Sequence, residues 1–314
     1  ARVLPALACC LLLLLDAGAA AAPAALLTDH PLAGTLWDTR SGARTDERQL
    51  LAEAAQARWV LIGEKHDNAT HHRLQARIVD ALGSGGRRLA VVWEMAEPEH
   101  AQALQAARLD SVAALGEALA WEARGWPAWP EYQPIAEAAL RHGLPMYPGK
   151  PARALVRSTS RGEPLPEDLA QRLAWQQPYP PGIEAALLEE LRDSHCGALP
   201  EAALDGMLRV QRLWDAWMAD SLLAAGPSDG DSDGAILIAG SGHAREDRAV
   251  PWHLRQRGAG ESLTLALVEV IRGREVPGDY VAFDAASVDY VWFTPRVDED
   301  DPCAGMPQGP AQAN

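Results

Sequence analysis

Two short stretches of the chain share one pattern of reactive residues. Gly63-Glu64-Lys65-His66 and Gly240-Ser241-Gly242-His243 each place an imidazole three residues after a glycine, at the end of an apolar run. A third apolar run ends in Trp93-Glu94-Met95 and adds a carboxylate. Two imidazoles and two carboxylates, Glu64, His66, Glu94 and His243, form a candidate set of ligands for a divalent metal with water at an open position. Without a metal the same four could act as acid and base, one carboxylate fixing the tautomer of a histidine. A lone histidine at a strand end is usually just a satisfied polar group. Two matched turns and a glutamate after an intervening strand favour a site.

For these residues to meet, the runs that carry them must be parallel strands of one sheet, whose carboxyl ends collect ligands along one edge. The pattern supports this. Arg58 to Gly63, Leu89 to Trp93, Leu144 to Tyr147 and Ala235 to Ala239 read as strands, with Leu263 to Val270 and Tyr290 to Phe293 closing the sheet. Between them lie stretches of helical spacing, such as Leu74, Ile78, Val79 and Leu82. Further helices are expected through Glu99–Arg108 and from Ile135 to His142, with a Trp- and Pro-rich loop over Trp126–Pro134. Gly63 and Gly240 are expected to let the chain turn sharply without a Cβ penalty. The fold class is therefore α/β: a mostly parallel sheet flanked by helices, with a smaller inserted all-helical lobe. The sheet domain is assigned to residues 36–154 and 235–295, and the lobe with its connecting loop to 155–234. Some lobe helices could instead simply cover the sheet.

The ends read differently. Arg2, the apolar run Leu4–Leu15 and the small residues Ala17–Ala22 follow the order of a secretory signal peptide, assigned to 1–22. The run is too short to span a hydrocarbon core of ~30 Å. Cys9 and Cys10 precede Leu11–Leu15, so cleavage to a soluble periplasmic form is favoured over anchoring as a lipoprotein. Residues 23–35 read as a linker and 296–314 as a disordered acidic tail. Outside the leader the cysteines are Cys196 and Cys303, whose pairing an oxidising compartment would permit. A formal net charge of −15 argues against nucleic acid and anionic lipid as partners.

The paired Gly-x-x-His turns resemble those of the Tiki superfamily, which includes TraB-like and erythromycin-esterase-like proteins. Further stretches resemble its ChaN-type haem-binding branch: Gly63 to Asn68 followed by His71-His72-Arg73-Leu74-Gln75, the Trp126–Pro134 loop, Asp193–Gly197 and Gln211–Ala219. The resemblance runs from about Val60 to Leu254. Lys150-Pro151-Ala152-Arg153 matches only loosely an expected Asn-x-Pro-Arg-like stretch.

This resemblance implies a parallel sheet with a helical lobe, and an exported, non-catalytic carrier of haem b in iron uptake. An outer-membrane haem receptor and a second copy of the chain are candidate partners. Haem needs a flat apolar slot, an axial donor and cations or water for its propionates. The chain carries 11 Trp against 2 Phe. Trp126, Trp129, Tyr132, Arg153 and His195 are the candidate haem contacts. Trp214, Trp217 and Met218 lie at helical spacing on the lobe, where a Trp stripe is usually core. Axial candidates are Tyr132, Tyr147, Tyr179, His71, His72 and His195; a phenolate suits ferric haem, so the tyrosines rank above the histidines, and Tyr132 leads them because its loop is aromatic and adjoins the strand-end edge. No Cys-x-x-Cys-His for covalent attachment occurs. The rival reading is a metal-dependent or acid/base hydrolase, an esterase or peptidase, using Glu64, His66, Glu94 and His243.

Overall fold

Trp59–Glu64 is buried at every position, and its alternate side chains enter two different cores. Val60 and Ile62 pack on one face of the sheet; Trp59 and Leu61 pack on the other. The strands on either side repeat the pattern, so the centre of the sheet has no wet face. The computed structural model describes residues 25–226, 233–301, 303 and 304.

The strands are β1 (Leu36–Asp38), β2 (Ala43–Thr45), β3 (Trp59–Glu64), β4 (Leu89–Trp93), β5 (Met146–Pro148), β6 (Gly234–Gly240), β7 (Ser262–Glu269) and β8 (Tyr290–Thr294). They form one sheet in the order β2-β1-β8-β7-β3-β6-β4-β5. Only the pairings of β1, with β2 and with β8, are antiparallel. The short antiparallel edge has no counterpart in the sequence reading, because three-residue strands carry too little periodicity to register. The helices are α1 (Glu47–Ala54), α2 (Ala69–Ser84), α3 (Ala101–Ala106), α4 (Leu115–Ala118), α5 (Trp129–Arg141), α6 (Arg153–Ser160), α7 (Glu167–Arg172), α8 (Pro181–Ser194), α9 (Glu201–Ala225) and α10 (Val250–Gln256).

One face of the sheet is covered by α2 and α5, through Ile78, Val79, Leu82, Ile135 and Ala139. The other is covered by α10 and the C-terminal half of α9, through Val250, Leu254, Met218, Ala219 and Leu222. This corrects the lobe boundary. The second half of α9 belongs to the sheet's core, while Leu213 and Ala216 on its other side pack with Leu169 and Leu173 of the lobe. Met218 and the neighbouring Trp217 are accordingly packing residues.

Helix α5 also starts earlier than expected. The Trp126–Pro134 stretch is a loop only to Ala128; Pro130 sits in the first turn, where a missing N–H costs nothing. Pro134 then lies inside the helix, at the cost of one backbone bond.

Residues 26–35, 296–301 and 303 make specific contacts rather than reading as linker and free tail, while 302 and 305–314 of the expected tail lie outside the described residues. Leu26 pairs with Arg296, and Leu32 and Thr35 are buried. Lys65 Nζ lies 3.2 Å from Asp298, and Cys303 is disulfide-bonded to Cys196. The expected leader, with Cys9 and Cys10, lies outside the described residues. Among those described, no helix is long and apolar enough to cross a membrane.

Candidate functional site

β3, β6 and β4 are consecutive in the sheet, in register Glu64↔Gly240 and Trp93↔Ile238. Their carboxyl ends therefore deliver Glu64, His66, Glu94 and His243 to one place, as the spacing predicted. The glycines act differently from expectation. Gly63 and Gly240 both have ordinary negative φ. What they permit is close approach: a Cβ on Gly63 would stand 2.7 Å from the Ser241 backbone, and one on Gly240 3.1 Å from His66.

The four side chains form one array of hydrogen bonds and longer ion-pair contacts. His66 Nδ1 meets Glu64 Oε1 at 2.8 Å, and His243 Nδ1 meets Asp215 Oδ1 at 2.6 Å. The two Nε2 atoms face Glu94 Oε1 from 3.8 and 3.6 Å. Glu94 Oε2 accepts the Gly240 N–H at 2.7 Å. Gln211 lies one helical turn before Asp215 and within 3.4 Å of it. Among the described residues no group of three His, Cys, Asp or Glu side chains is spaced to hold a metal ion. The candidate metal set converges, but each Nδ1 is committed to a carboxylate.

Burial alone would push His243 down, yet Glu94 and Asp215 outweigh it and hold the imidazolium up to about 9. Burial raises Asp215 and Glu64. Glu94 ends below its ordinary value, because His243, His66 and the Gly240 N–H outweigh desolvation. The same balance raises His66, through Glu64 and Glu94. His243 therefore carries a proton between two carboxylates, and such charges are tolerated in a buried site only when paired.

Tyr132, the leading haem-ligand candidate, is not available to iron. Its ring is fully buried, and its hydroxyl donates to Glu64 Oε1 at 2.7 Å with the His66 carbonyl 3.0 Å away as the second acceptor within reach. Burial and the Glu64 charge drive its pKa up, away from a phenolate. Trp129 is also core, packed with Trp93 and Trp121 and donating to the Val112 carbonyl. Trp126 is half-buried and touches the His66 ring edge-on at 5.1 Å.

Other axial candidates fall for the same reason. His71 accepts from the Lys65 N–H and faces Thr294 Oγ1, both at 2.8 Å, and desolvation takes its pKa down to about 3. His72 is buried against the Tyr132 ring at a centroid distance of 3.8 Å and is also lowered to about 3 by burial. It stands 3.3 Å from Glu64 Oε2 without hydrogen-bond geometry. Tyr179 is buried with its hydroxyl 3.1 Å from His253 Nε2; Tyr147 is half-buried against the sheet core and falls for a different reason, since it does not line the main cavity between α8 and α9.

His195 is different. It closes α8 and lines a cavity of about 650 Å³ bounded by α8, α9 and the strand ends. His66, Glu94, Asp215 and His243 lie on the strand-end side of this space; Leu187, Leu191, Met207, Val210 and Trp214 form its helical wall. His195 Nδ1 lies 2.8 Å from the Leu191 carbonyl, which places the proton on Nδ1 and leaves the Nε2 lone pair free to bind. Arg153 lies elsewhere, exposed at the rim of a smaller neighbouring cavity.

The model of the haem-binding uptake family (Tiki superfamily, ChaN) matches residues 50–254. The chain belongs to this family. A solved structure, "Cofacial heme binding to ChaN of Campylobacter jejuni", is similar at 21% identity and a TM-score of 0.62, over 82% of this chain and 95% of that one. At that identity the ChaN likeness carries the fold: the α/β sheet with its helical lobe. The type III effector HopBA1 aligns at 16% identity and a TM-score of 0.44, over 79% of this chain and 92% of that one. No curated protein matches.

Asp215 and Gln211 were missed as site residues, although the stretch that holds them was part of the ChaN resemblance. A signal was present. An Asp one turn after a Gln, on the helix face that also carries Met218, Ala219 and Leu222, is buried only if something pairs with it.

Proposed function

We propose that this ChaN-family chain is an exported carrier of haem b in iron uptake, acting without turnover. Haem is proposed to seat in the cavity between α8 and α9, with His195 as axial donor. The observation that carries the reading is the pairing of a mostly apolar helical wall with an imidazole whose Nδ1 is already tied to the Leu191 carbonyl. Such a hydrogen bond fixes the ring and strengthens its other nitrogen as a ligand. Space of about 650 Å³ is in the range of small-molecule sites. The lack of a Cys-x-x-Cys-His motif means that the haem would be held non-covalently. Export is supported by the signal-like N-terminal sequence and by the Cys196–Cys303 disulfide, which suits an oxidising compartment. Titration with hemin at micromolar concentration tests the reading: a saturable Soret change is expected, and its absence removes the haem function.

One observation favours a second reading, acid/base hydrolysis. Asp215 orients His243, and Glu94 stands 3.6 Å from the opposite nitrogen, which is the arrangement of an oriented proton donor. Turnover of ester or peptide substrates that is lost in His243→Gln would establish it.

A further inference from the structure

A second, smaller cavity of about 250 Å³ adjoins the first, with Trp214 lining both. Its charge is unlike that of the rest of this acidic chain. Arg124, Lys150, Arg153 and Arg157 line it, against one carboxylate, Glu97. Glu97 is taken by Arg124, and Arg153 Nε approaches the same oxygen at 3.3 Å. Arg124 also pairs with Glu99 at 3.6 Å, so two carboxylates stand against four cations and do not neutralise them. Arg124, buried along its length, keeps an Nε that no acceptor reaches.

Lys150 makes the imbalance sharper. It is one of only two lysines in the chain. Its ammonium has no hydrogen bond or ion pair among the described residues; it lies between two indoles, 5.0 Å from the Trp126 ring and 4.6 Å from that of Trp214. Such contacts hold a cation without neutralising it. The first turn of α6 also borders the cavity, and no side chain caps its N–H groups. Uncommitted guanidinium, ammonium and backbone donors around a small space match a planar or tetrahedral oxyanion.

We propose that this cavity is an anion site that takes one carboxylate or phosphate group of a small ligand. The proposal stands apart from the haem reading. Trp126 touches both Lys150 and His66, so the bound anion would sit one indole away from the His–carboxylate array.

The two lysines allow a direct test on the whole protein. Labelling with 13C-lysine gives two Cε signals, and Lys65→Arg assigns them. Inorganic phosphate or succinate, added at constant ionic strength, should shift the Lys150 signal saturably and leave that of Lys65 in place. The double variant Arg153→Gln/Arg157→Gln, at two exposed positions, should weaken binding about tenfold, the scale of lost charged hydrogen bonds. Zinc protoporphyrin and its dimethyl ester separate the sources. A shift with the free acid only assigns the anion to a porphyrin propionate; a shift with phosphate or succinate only assigns it to a separate metabolite. A linear drift, a response reproduced by chloride, or unchanged affinity in the double variant overturns the site.

Discussion

The main cavity has two sides built on different physical terms. On the strand-end side, Glu64, Glu94, Asp215 and His243 are buried and, together with His66, joined by contacts from 2.6 to 3.8 Å, and two glycines allow backbone and ring to approach without a Cβ. On the helical side, His195 is half-buried on a helix end, followed by Cys196 and Gly197 with left-handed backbone and anchored by the disulfide to Cys303. The first side is pre-organised and coupled to folding. The second rests on α8, whose Leu187 packs with Tyr179 and Trp252 rather than with the strands. A site built in this way separates stability from binding, and each side can be broken alone.

The largest effect is expected at Asp215. Asp215→Ala leaves the His243 imidazolium short of a partner in a dry site, and should cost about 3–5 kcal/mol in urea unfolding, the scale of a broken buried pair. The disulfide comes next. It closes a loop with a sequence separation of 107, and Cys303→Ser should cost about 2–4 kcal/mol. Because Cys196 follows His195, the same change should also weaken hemin binding, whereas Asp215→Ala should chiefly weaken folding. Tyr132→Phe removes a buried hydroxyl shared by Glu64 and the His66 carbonyl, with an expected loss of about 1–3 kcal/mol and no change in any hemin spectrum.

The pH dependence of folding should also report the buried side. His71 and His72 have folded pKa values of about 3 against an ordinary 6.5, so the unfolded chain takes up protons first as pH falls. Stability present above 6.5 should decline from there toward pH 3, by up to about 1.4 kcal/mol per pH unit for each group. His243 acts in the opposite sense. Raised to about 9, it contributes fully below 6.5, and its contribution is lost as pH rises from 6.5 through 9. Thermal melts should therefore show a maximum near neutrality, and Asp215→Ala should flatten its alkaline side. A monotonic profile would contradict the assigned protonation of the array.

Much of this was legible in the sequence for a physical reason. Strands buried on both faces appear as unbroken apolar runs, so β3, β4, β6, β7 and β8 and the residues at their ends could be placed. Glu64, His66, Glu94 and His243 then followed from the topology of parallel strands. What sequence could not show was burial of individual side chains. Tyr132 sits in a Trp-rich stretch that looks like a surface loop, yet α5 carries it into the core, where its hydroxyl is already spent on Glu64. Asp215 was hidden because its partner, His243, is 28 residues away and on another element. The pairing of Cys196 with Cys303 depends on how the C-terminal segment crosses the molecule, and residue spacing does not encode that path.

The central claim is that the helical side of the cavity, through His195, holds the haem iron. Absorbance spectra of hemin complexes of the wild type, His195→Ala and Tyr132→Phe test it most directly. The account predicts a saturable Soret band in the wild type, the same spectrum for Tyr132→Phe, and for His195→Ala a shifted band with affinity weakened by about 1–3 kcal/mol. A wild-type spectrum that survives in His195→Ala but changes in Tyr132→Phe would contradict it.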